Sequence, residues 1–395
     1  MMDDKIVIVS AKRTAIGSFQ GNLSSIKATS LGSEVIKKNI KDLSIDPSEI
    51  DETIMGCVLP AGLGQAPARQ AAMEAGIPPE SGATTINKMC GSGMKAIMFG
   101  HDSIIAGHNN VVVAGGLENM SNTPYVLPKV RDGLRMGHHQ IKDHMFLDGL
   151  EDAYDEGKLM GSFAEDTAEH YQFTREQQDN FSISSLERAK KANENGTFDD
   201  EIVPIKVINR KSEIIINKDE QPFKANIAKI PTLKAAFRKN GTVTAANSSS
   251  ISDGASSVVL MKESEANRRG LQPLARIVTH STNSQEPKWF TTAPIGAIEK
   301  VLSKAGWNKS DVDLFEVNEA FAVVPMAVMK DLGIPHDIIN IFGGACALGH
   351  PVGAYGSRIV TTLINALNKK GLKKGVASLC IGGGEATALA LEIVK

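Results

Sequence analysis

Cysteine is scarce in this sequence, and its spacing shows no pairs. Cys57, Cys90, Cys346 and Cys380 are scattered over 395 residues, and no C-x-x-C pair occurs. A disulfide framework or a thiolate zinc site requires patterned cysteines at short spacing. The sequence therefore indicates neither, and a reducing compartment is the expectation.

Long apolar runs and an excess charge of one sign are also lacking. No apolar stretch reaches the roughly 20 residues that span a bilayer. The first residues, MMDDKIVIVSAKRTAIG, are acidic where a secretory leader is basic. The formal net charge is only −2, which leaves no basic footprint for nucleic acid. We expect a cytoplasmic protein without a membrane or nucleic-acid partner.

The length and the order of predicted elements indicate several domains. A chain of 395 residues exceeds one ordinary hydrophobic core. Strands and helices alternate at both ends, whereas residues 119–240 are rich in charge and methionine and contain predicted helices. One of these helices begins with a capping box of Thr174 and Gln177. We predict an N-terminal core domain (1–118 and 241–270), an inserted loop domain (119–240) and a C-terminal core domain (271–395).

The two core regions resemble each other. VVVAGG at 111–116 resembles ASLCIGG at 377–383, and IVIV at 6–9 resembles ARIV at 275–278. This similarity suggests a duplicated α/β unit. Because ligand pockets often lie between domains, a site shared by both halves is expected.

The segment NKMCGSGM, residues 87–94, places Cys90 between a predicted strand at 83–86 and a predicted helix at 94–105. The positive end of a helix stabilises anions and lowers the pKa of a nearby thiol. Gly91 and Gly93 leave room for a substrate beside the sulfur. Cys90 is thus a candidate nucleophile, although a free cysteine is more often a small buried apolar residue.

Two further segments supply partners for such a nucleophile. FGGACALGHPVGAYGSR, residues 342–358, surrounds His350 with glycines in a predicted turn. LCIGGGEAT, residues 379–387, ends a predicted strand in Cys380 and three glycines. A structural histidine and a core thiol are the alternatives. Together, however, a nucleophile, a base and a second thiol are the groups that acyl transfer through a thioester requires.

Polar residues elsewhere complete the candidate set. LFEVNEAFA, residues 314–322, places Asn318 after a predicted strand, where its amide could hold a water or a carbonyl oxygen or could cap a helix. The basic side chains of the predicted loop domain are mixed with acids, so a solvated surface is the default interpretation and a phosphate-binding subset is the alternative. They include Lys158, Arg210, Lys224, Lys229, Arg238 and Lys239.

Over essentially its whole length, the chain resembles the thiolase family. NKMCGSGMKAI, GTVTAANSSSISDGASS, VNEAFA, GGACALGHPVGAYGSR and CIGGG occur in family order. The resemblance implies an α/β thiolase fold: two similar mixed-sheet core domains in a layered α-β-α-β-α arrangement with an inserted loop domain. It also implies coenzyme A esters as substrates, no cofactor, no metal, and a homo-oligomer, a tetramer built as a dimer of dimers.

The same resemblance implies roles for individual residues. Cys90 would carry the acyl group, His350 would act as its base, and Cys380 would move a proton at the α-carbon of the second acetyl-CoA. Asn318 would hold a water in one oxyanion hole, and the amides of Cys90 and Gly382 would form another. Substrate-binding positions would be Leu150, Met160, Lys224, Ser249, Phe290, Ala320 and Phe321.

The expected reaction is reversible condensation of two acetyl-CoA to acetoacetyl-CoA and CoA. Trp289 and Phe290 fall where the family closes its acyl pocket, and bulky rings there favour a short acyl group. Leu159, Cys346 and Tyr355 depart from the family pattern, so coenzyme contacts and the wall near His350 are expected to differ. The alternatives are a broad-chain 3-ketoacyl-CoA thiolase of fatty-acid β-oxidation and a non-catalytic acyl-CoA binding protein.

Overall fold

The computed structural model describes residues 4–209 and 212–394. In chain order the strands are β1 (Ile6–Thr14), β2 (Gly17–Ser18), β3 (Glu52–Gly56), β4 (Gly82–Ile86), β5 (Val111–Asn119), β6 (Tyr125–Val126), β7 (Lys142–Asp143), β8 (Ile202–Val203), β9 (Ile205–Asn209), β10 (Ser212–Ile216), β11 (Ser252–Lys262), β12 (Ala275–Ser284), β13 (Leu314–Val317), β14 (Lys374–Ile381) and β15 (Glu385–Ile393).

The α-helices are α1 (Ala28–Leu43), α2 (Pro67–Glu74), α3 (Ser92–Ile105), α4 (Met160–Tyr171), α5 (Arg175–Glu194), α6 (Gln221–Lys224), α7 (Glu263–Arg268), α8 (Ala293–Ala305), α9 (Val323–Leu332), α10 (Ala345–Leu348) and α11 (Tyr355–Lys370). The predicted capping box at the start of α5 is confirmed: the Thr174 side chain accepts from the Gln177 amide, and the Gln177 side chain accepts from the Thr174 amide.

The main sheet is symmetric about its centre. Within the described residues it has eleven strands, nine of them in the order β13-β14-β15-β12-β1-β11-β5-β3-β4. From the centre outward, β1, β11, β5 and β3 match β12, β15, β14 and β13, with antiparallel pairs followed by a parallel pair on both sides. The two strand pairs noticed in the sequence occupy equivalent positions. This order is what a duplicated unit predicts.

The helices form three layers around these strands. α1 and α2 cover the outer face of the first half, and α8 and α9 lie on the outer side of the second. α3 and α11 pack against each other and against strands of both halves. Every residue of α11 from Tyr355 to Leu367 is buried, as expected for a helix enclosed on all sides. The predicted layered α/β arrangement is confirmed.

The segment between β5 and β11 holds α4, α5 and α6 and is anchored on the core by a buried ion cluster. β8 pairs with β1, and the guanidinium of Arg13 contacts Glu201 at 2.5 Å and Asp219 at 2.7 Å. Buried charges persist only when paired in this way. The exact domain boundaries at 118, 240 and 270 stay a prediction. Among the helices of the described ranges, none is long and apolar enough to cross a membrane.

Candidate active site

Cys90 lies in a tight turn between β4 and α3, as the sequence predicts. The turn is held by the Ser92 hydroxyl, which accepts from the Lys88 amide at 2.8 Å and donates to the Met89 carbonyl at 2.7 Å. Met89 has φ +47°, a conformation costly for a side chain with a Cβ. Such strain is retained only where the surrounding structure fixes it, and here it sets the position of the sulfur.

The expectation of a lowered Cys90 pKa is wrong for the free protein. Burial raises the pKa of the Cys90 thiol to about 11, although the backbone amides of Gly382 and of Cys90 itself oppose this rise. Desolvation of a thiolate therefore outweighs the helix terminus. The thiol keeps its proton at neutral pH, so a nucleophilic role requires a base.

The second thiol lies beside the first. A Cβ at Gly91 would come within 2.4 Å of Ile381 Cδ1, so a larger residue in the Cys90 turn would displace the Ile381 side chain at the end of β14. Burial and the neighbouring Cys90 raise the pKa of the Cys380 thiol well above its ordinary value. The Asn318 amide nitrogen lies 3.9 Å from Cys380 Sγ. The structure thus brings together Cys90, Cys380, Asn318 and the Gly382 amide.

Asn318 does not cap a helix. Helix α9 begins at Val323 and has Ala322 as its N-cap, so the capping alternative is excluded. The Asn318 side chain is buried, and its Oδ1 has no hydrogen-bond partner within the part of the chain that the structure describes. Because buried polar atoms are normally paired, this oxygen is available to a water or a substrate group.

His350 is a buried, neutral imidazole. Burial lowers the pKa of His350 to about 3, and both ring nitrogens lack partners among the described residues. Its backbone amide donates to the Ser250 carbonyl at 3.0 Å. The ring packs edge-to-face on Tyr355 with centroids 4.6 Å apart, and the Tyr355 hydroxyl accepts from Arg358 at 3.0 Å. Tyr355, the departure noted in the sequence, therefore forms the wall behind the histidine.

Apart from Lys224, the predicted substrate-binding residues belong to, pack against or hydrogen-bond to the apolar clusters that contain or contact the two thiols. Phe290, Ala320 and Phe321 share the apolar cluster of Cys380, and Met160 packs against it. Leu150 packs on the neighbouring cluster that Cys90 contacts, and the Ser249 amide donates to the Ala320 carbonyl at 2.9 Å. Trp289 instead packs on His170 with centroids 5.2 Å apart, so Phe290 is the ring that faces this cluster.

Lys224 lies at the rim of a cavity of about 300 Å³. Its ammonium contacts Glu220 at 2.6 Å, and the cavity is also lined by Lys229, Ala246 and Cys346. Arg238 is paired with Asp166 and Glu169, which fits the solvated-surface interpretation for that side chain. Arg210 lies outside the described residues.

Glu118, which the sequence analysis did not single out, joins the two halves at this site. Its Oε2 accepts from the amides of Val58 and Gly353, both at 2.9 Å, and its Oε1 accepts from the Leu59 amide at 3.2 Å. Gly353 belongs to the His350 turn, and Val58 packs in the cluster that Cys90 contacts. Burial raises the pKa of Glu118 to about 7 despite these amides. The sequence signal for Glu118 was a single carboxylate within the otherwise uncharged run VVVAGGLEN.

Replacing Glu118 with glutamine should loosen this junction. A glutamine side chain has one acceptor oxygen and one donor nitrogen, so it cannot accept from all three amides. We expect the free energy of unfolding to fall by about 1–3 kcal/mol and kcat to fall more than KM rises, because the His350 turn shifts. Urea unfolding and steady-state kinetics measure both quantities.

Glu316→Gln provides the matched control for that substitution. Burial also raises the pKa of Glu316, to about 8, and its Oε2 lies 3.7 Å from Arg358, so an amide at this position removes a buried carboxylate but leaves the three Glu118 hydrogen bonds in place. An equal kcat loss in Glu316→Gln and Glu118→Gln would contradict the positioning role of Glu118.

Comparisons with known proteins agree with this architecture. The family model "Thiolase, N-terminal domain" matches residues 6–264, and "Thiolase, C-terminal domain" matches residues 271–393. A probable acetyl-CoA acetyltransferase of Dictyostelium discoideum is 52% identical over 98% of this chain and 94% of its own. An acetyl-CoA acetyltransferase of Pseudomonas aeruginosa is 48% identical over 98% of both chains.

Two solved structures have the same fold. The crystal structure of the Bacillus anthracis acetyl-CoA acetyltransferase superposes with a TM-score of 0.96 at 42% identity, covering 99% of both chains. A thiolase from Ascaris suum in complex with coenzyme A superposes with a TM-score of 0.93 at 41% identity, covering 99% of this chain and 100% of the other.

Proposed function

The chain belongs to the thiolase family, and from this we propose that it is an acetyl-CoA acetyltransferase that condenses two acetyl-CoA to acetoacetyl-CoA and CoA and catalyses the reverse thiolysis. The observation that carries this proposal is that the half-buried Cys90 thiol and the buried Cys380 thiol lie together, with the Gly382 amide directed at Cys90 Sγ. The relatives that are 52% and 48% identical in sequence are named as a probable acetyl-CoA acetyltransferase and an acetyl-CoA acetyltransferase.

In the proposed first half-reaction, His350 takes the proton of Cys90 and the sulfur attacks the acetyl carbonyl. A neutral imidazole is the form that accepts a proton, and burial keeps His350 neutral. The amides of Cys90 and Gly382 donate to the oxyanion of the tetrahedral species. Cys380 protonates the leaving CoA sulfur. The products are acetyl-Cys90, free CoA, a Cys380 thiolate and protonated His350.

In the proposed second half-reaction, the Cys380 thiolate removes a proton from the α-carbon of a second acetyl-CoA. Protonated His350 and a water held by Asn318 stabilise the enolate oxygen. The α-carbon attacks acetyl-Cys90, and the expelled Cys90 thiolate recovers its proton from His350. Each group returns to its starting protonation state, so the chain's own residues balance the protons without a cofactor or a metal.

Coenzyme A is a substrate in this proposal. The pantetheine arm would pass Ser249, Met160 and Leu150 toward the sulfurs, and the nucleotide would lie near the cavity whose rim carries Lys224 and Lys229. Two ammonium groups at one rim suit a phosphorylated ligand. The Ascaris thiolase crystallised with coenzyme A supports a coenzyme site in this fold.

Two other activities are less well supported. A non-catalytic acyl-CoA binding protein would not need two adjacent thiols and a buried unpartnered histidine. A broad-chain 3-ketoacyl-CoA thiolase would need room for longer chains, whereas Phe290 is 2% exposed and packs edge-to-face on Phe163 at 6.2 Å. Filled space beside Cys380 favours a short acyl group.

Thiolysis of 3-ketoacyl-CoA esters of increasing length tests this preference. We expect kcat/KM to fall at least about tenfold from acetoacetyl-CoA to 3-ketohexanoyl-CoA and further for 3-ketodecanoyl-CoA, because forcing extra methylenes into a packed pocket costs about 1–3 kcal/mol. Phe290→Leu should flatten the series, whereas Trp289→Leu, at the neighbouring ring that packs on His170, should not. A flat wild-type profile would make this a broad-chain thiolase.

We also propose a homo-oligomer, a dimer of dimers, in a reducing cytoplasmic compartment. β4 ends the sheet and carries exposed residues, and α3, which follows it, exposes Phe99 and Ile105. An unpaired edge strand with apolar neighbours favours pairing with a second copy. All four cysteines, each in the described part of the chain, are free thiols. Sedimentation velocity distinguishes monomer, dimer and tetramer.

A further inference from the structure

A second cluster of reactive side chains lies away from the thiols, where the two halves meet. His101 and Asp102 are on the C-terminal part of α3, and His280 is on β12, 178 residues beyond Asp102. His101 and Asp102 thus belong to the first of the two similar halves, and His280 belongs to the second. No sequence motif connects them, so the cluster is recognisable only in the folded structure.

The three side chains converge on one point. Asp102 Oδ1 lies 3.0 Å from His101 Nδ1 and 2.8 Å from His280 Nε2, and all three atoms lie within 4.8 Å of one another. A tetrahedral zinc ion with bonds of about 2.0–2.1 Å holds its ligand atoms roughly 3.3 Å apart. The two distances to Asp102 Oδ1 are slightly shorter than that value, and the two ring nitrogens are no more than 4.8 Å apart, so the carboxylate oxygen must move away from the rings as an ion enters.

We propose that His101, Asp102 and His280 bind one divalent transition-metal ion such as Zn²⁺, with solvent at the fourth position. Two imidazole nitrogens and one carboxylate oxygen form a common donor set for zinc and its neighbours in the first transition row. Asp102 is half-exposed, which gives an ion access from solvent. His101 is buried, which fixes one ligand before the ion arrives.

Two of the three side chains have pKa values shifted by their surroundings. Burial lowers the pKa of His280 below its ordinary value even though Asp102 opposes this. Burial raises the pKa of Asp102, but hydrogen bonds with His101 and His280 outweigh it and lower the pKa overall. Metal binding requires neutral imidazoles and an ionised carboxylate, so binding at this cluster should weaken as the pH falls.

Lys95 acts against the proposed ion. It lies two turns before Asp102 on the same face of α3, with its ammonium 4.5 Å from the centre of the Phe99 ring. Its charge contributes to lowering the pKa of His280. Without metal, the histidines donate hydrogen bonds to Asp102, so the cluster is stable in either state. Removing the Lys95 charge should therefore tighten metal binding.

The proposed role is to clamp the two halves together. From Cys90 to His101 the chain follows α3, and eleven residues of helix span roughly 16 Å. An ion at His101 would thus not touch the reacting sulfurs. Binding should raise the thermal midpoint, because a ligand that binds only the folded chain stabilises it.

Titration of the chelator-treated full chain with Zn²⁺ and with Co²⁺ tests the proposal. We expect one equivalent of tight binding by calorimetry, a rise in the thermal midpoint, and a Co²⁺ spectrum without thiolate charge-transfer absorption. His101→Gln and His280→Gln should each weaken binding at least tenfold. His108→Gln, at an exposed histidine just after α3, is the matched control and should bind as wild type, and Lys95→Met should bind more tightly.

Other outcomes would overturn the proposal. Absence of stoichiometric binding, or binding that persists unchanged in both His101→Gln and His280→Gln, would show that the cluster is only a hydrogen-bonded junction. A thiolate charge-transfer band in the Co²⁺ protein would place the ion at cysteines. The circular dichroism of each variant shows whether it is folded.

Discussion

Replacing Cys90 with serine is expected to lower kcat for both condensation and thiolysis by roughly 10⁴-fold or more, the scale seen when a covalent nucleophile is removed. Serine keeps the shape of the turn, but its hydroxyl is far harder to ionise than a thiol. The Cys90 thiol already has a pKa raised to about 11 by burial, so the site can ionise a thiol only with a base. Coupled assays of CoA release and acetoacetyl-CoA cleavage measure the loss.

Cys346→Ser is the control for this substitution. Cys346 lines the cavity that carries Lys224 and is assigned no covalent role, so its replacement should leave kcat within a few fold of wild type. Substantial turnover by Cys90→Ser would contradict the assignment of the nucleophile.

Replacing Cys380 with serine is expected to separate the two half-reactions. Acetylation of Cys90 by acetyl-CoA should still occur, although more slowly, because protonated His350 can give the departing CoA the proton that Cys380 gives it in the wild type. Carbon–carbon bond formation should fall by about 10²–10⁴-fold, the usual range for a general acid–base group. Rapid-quench acetylation and steady-state condensation assays measure the two effects separately.

The two rates distinguish a proton-transfer role from a structural one. If Cys380 only filled space at the end of β14, serine would alter both half-reactions alike or neither. Near-normal condensation by Cys380→Ser would contradict its role at the α-carbon. Deuterium exchange at the methyl group of acetyl-CoA, expected to be lost in this variant, reports the same step independently.

The sequence alone was enough to predict the motifs of the candidate site, but not the pKa shifts of their side chains. The room that Gly91 and Gly93 leave for a substrate beside the Cys90 sulfur stays a prediction, whereas the structure adds that a Cβ at Gly91 would meet the Ile381 side chain. The Cys90 pKa was predicted in the wrong direction, because burial is a property of the assembled halves and exceeds the local effect of a helix terminus.

Residues that act across the two halves were the hardest to predict. Glu118 accepts from Gly353, 235 residues away, and the contact of Tyr355 with His350 depends on the path of α11. Local periodicity contains no information on such pairings. The strand similarities of 6–9 with 275–278 and of 111–116 with 377–383 were the long-range signals in the sequence. The pairing of β1 with β12 explains why both ends of the chain contribute to one site.

The most direct test of the account is to identify the acetylated residue. The wild-type chain, incubated with acetyl-CoA alone, quenched in acid and digested, should carry one acetyl thioester on the peptide that contains Cys90. The Cys380→Ser variant should carry the same label and the Cys90→Ser variant none. Stoichiometric acetyl label on any other residue of the wild-type protein, or none at all while turnover proceeds, would contradict a mechanism through acetyl-Cys90.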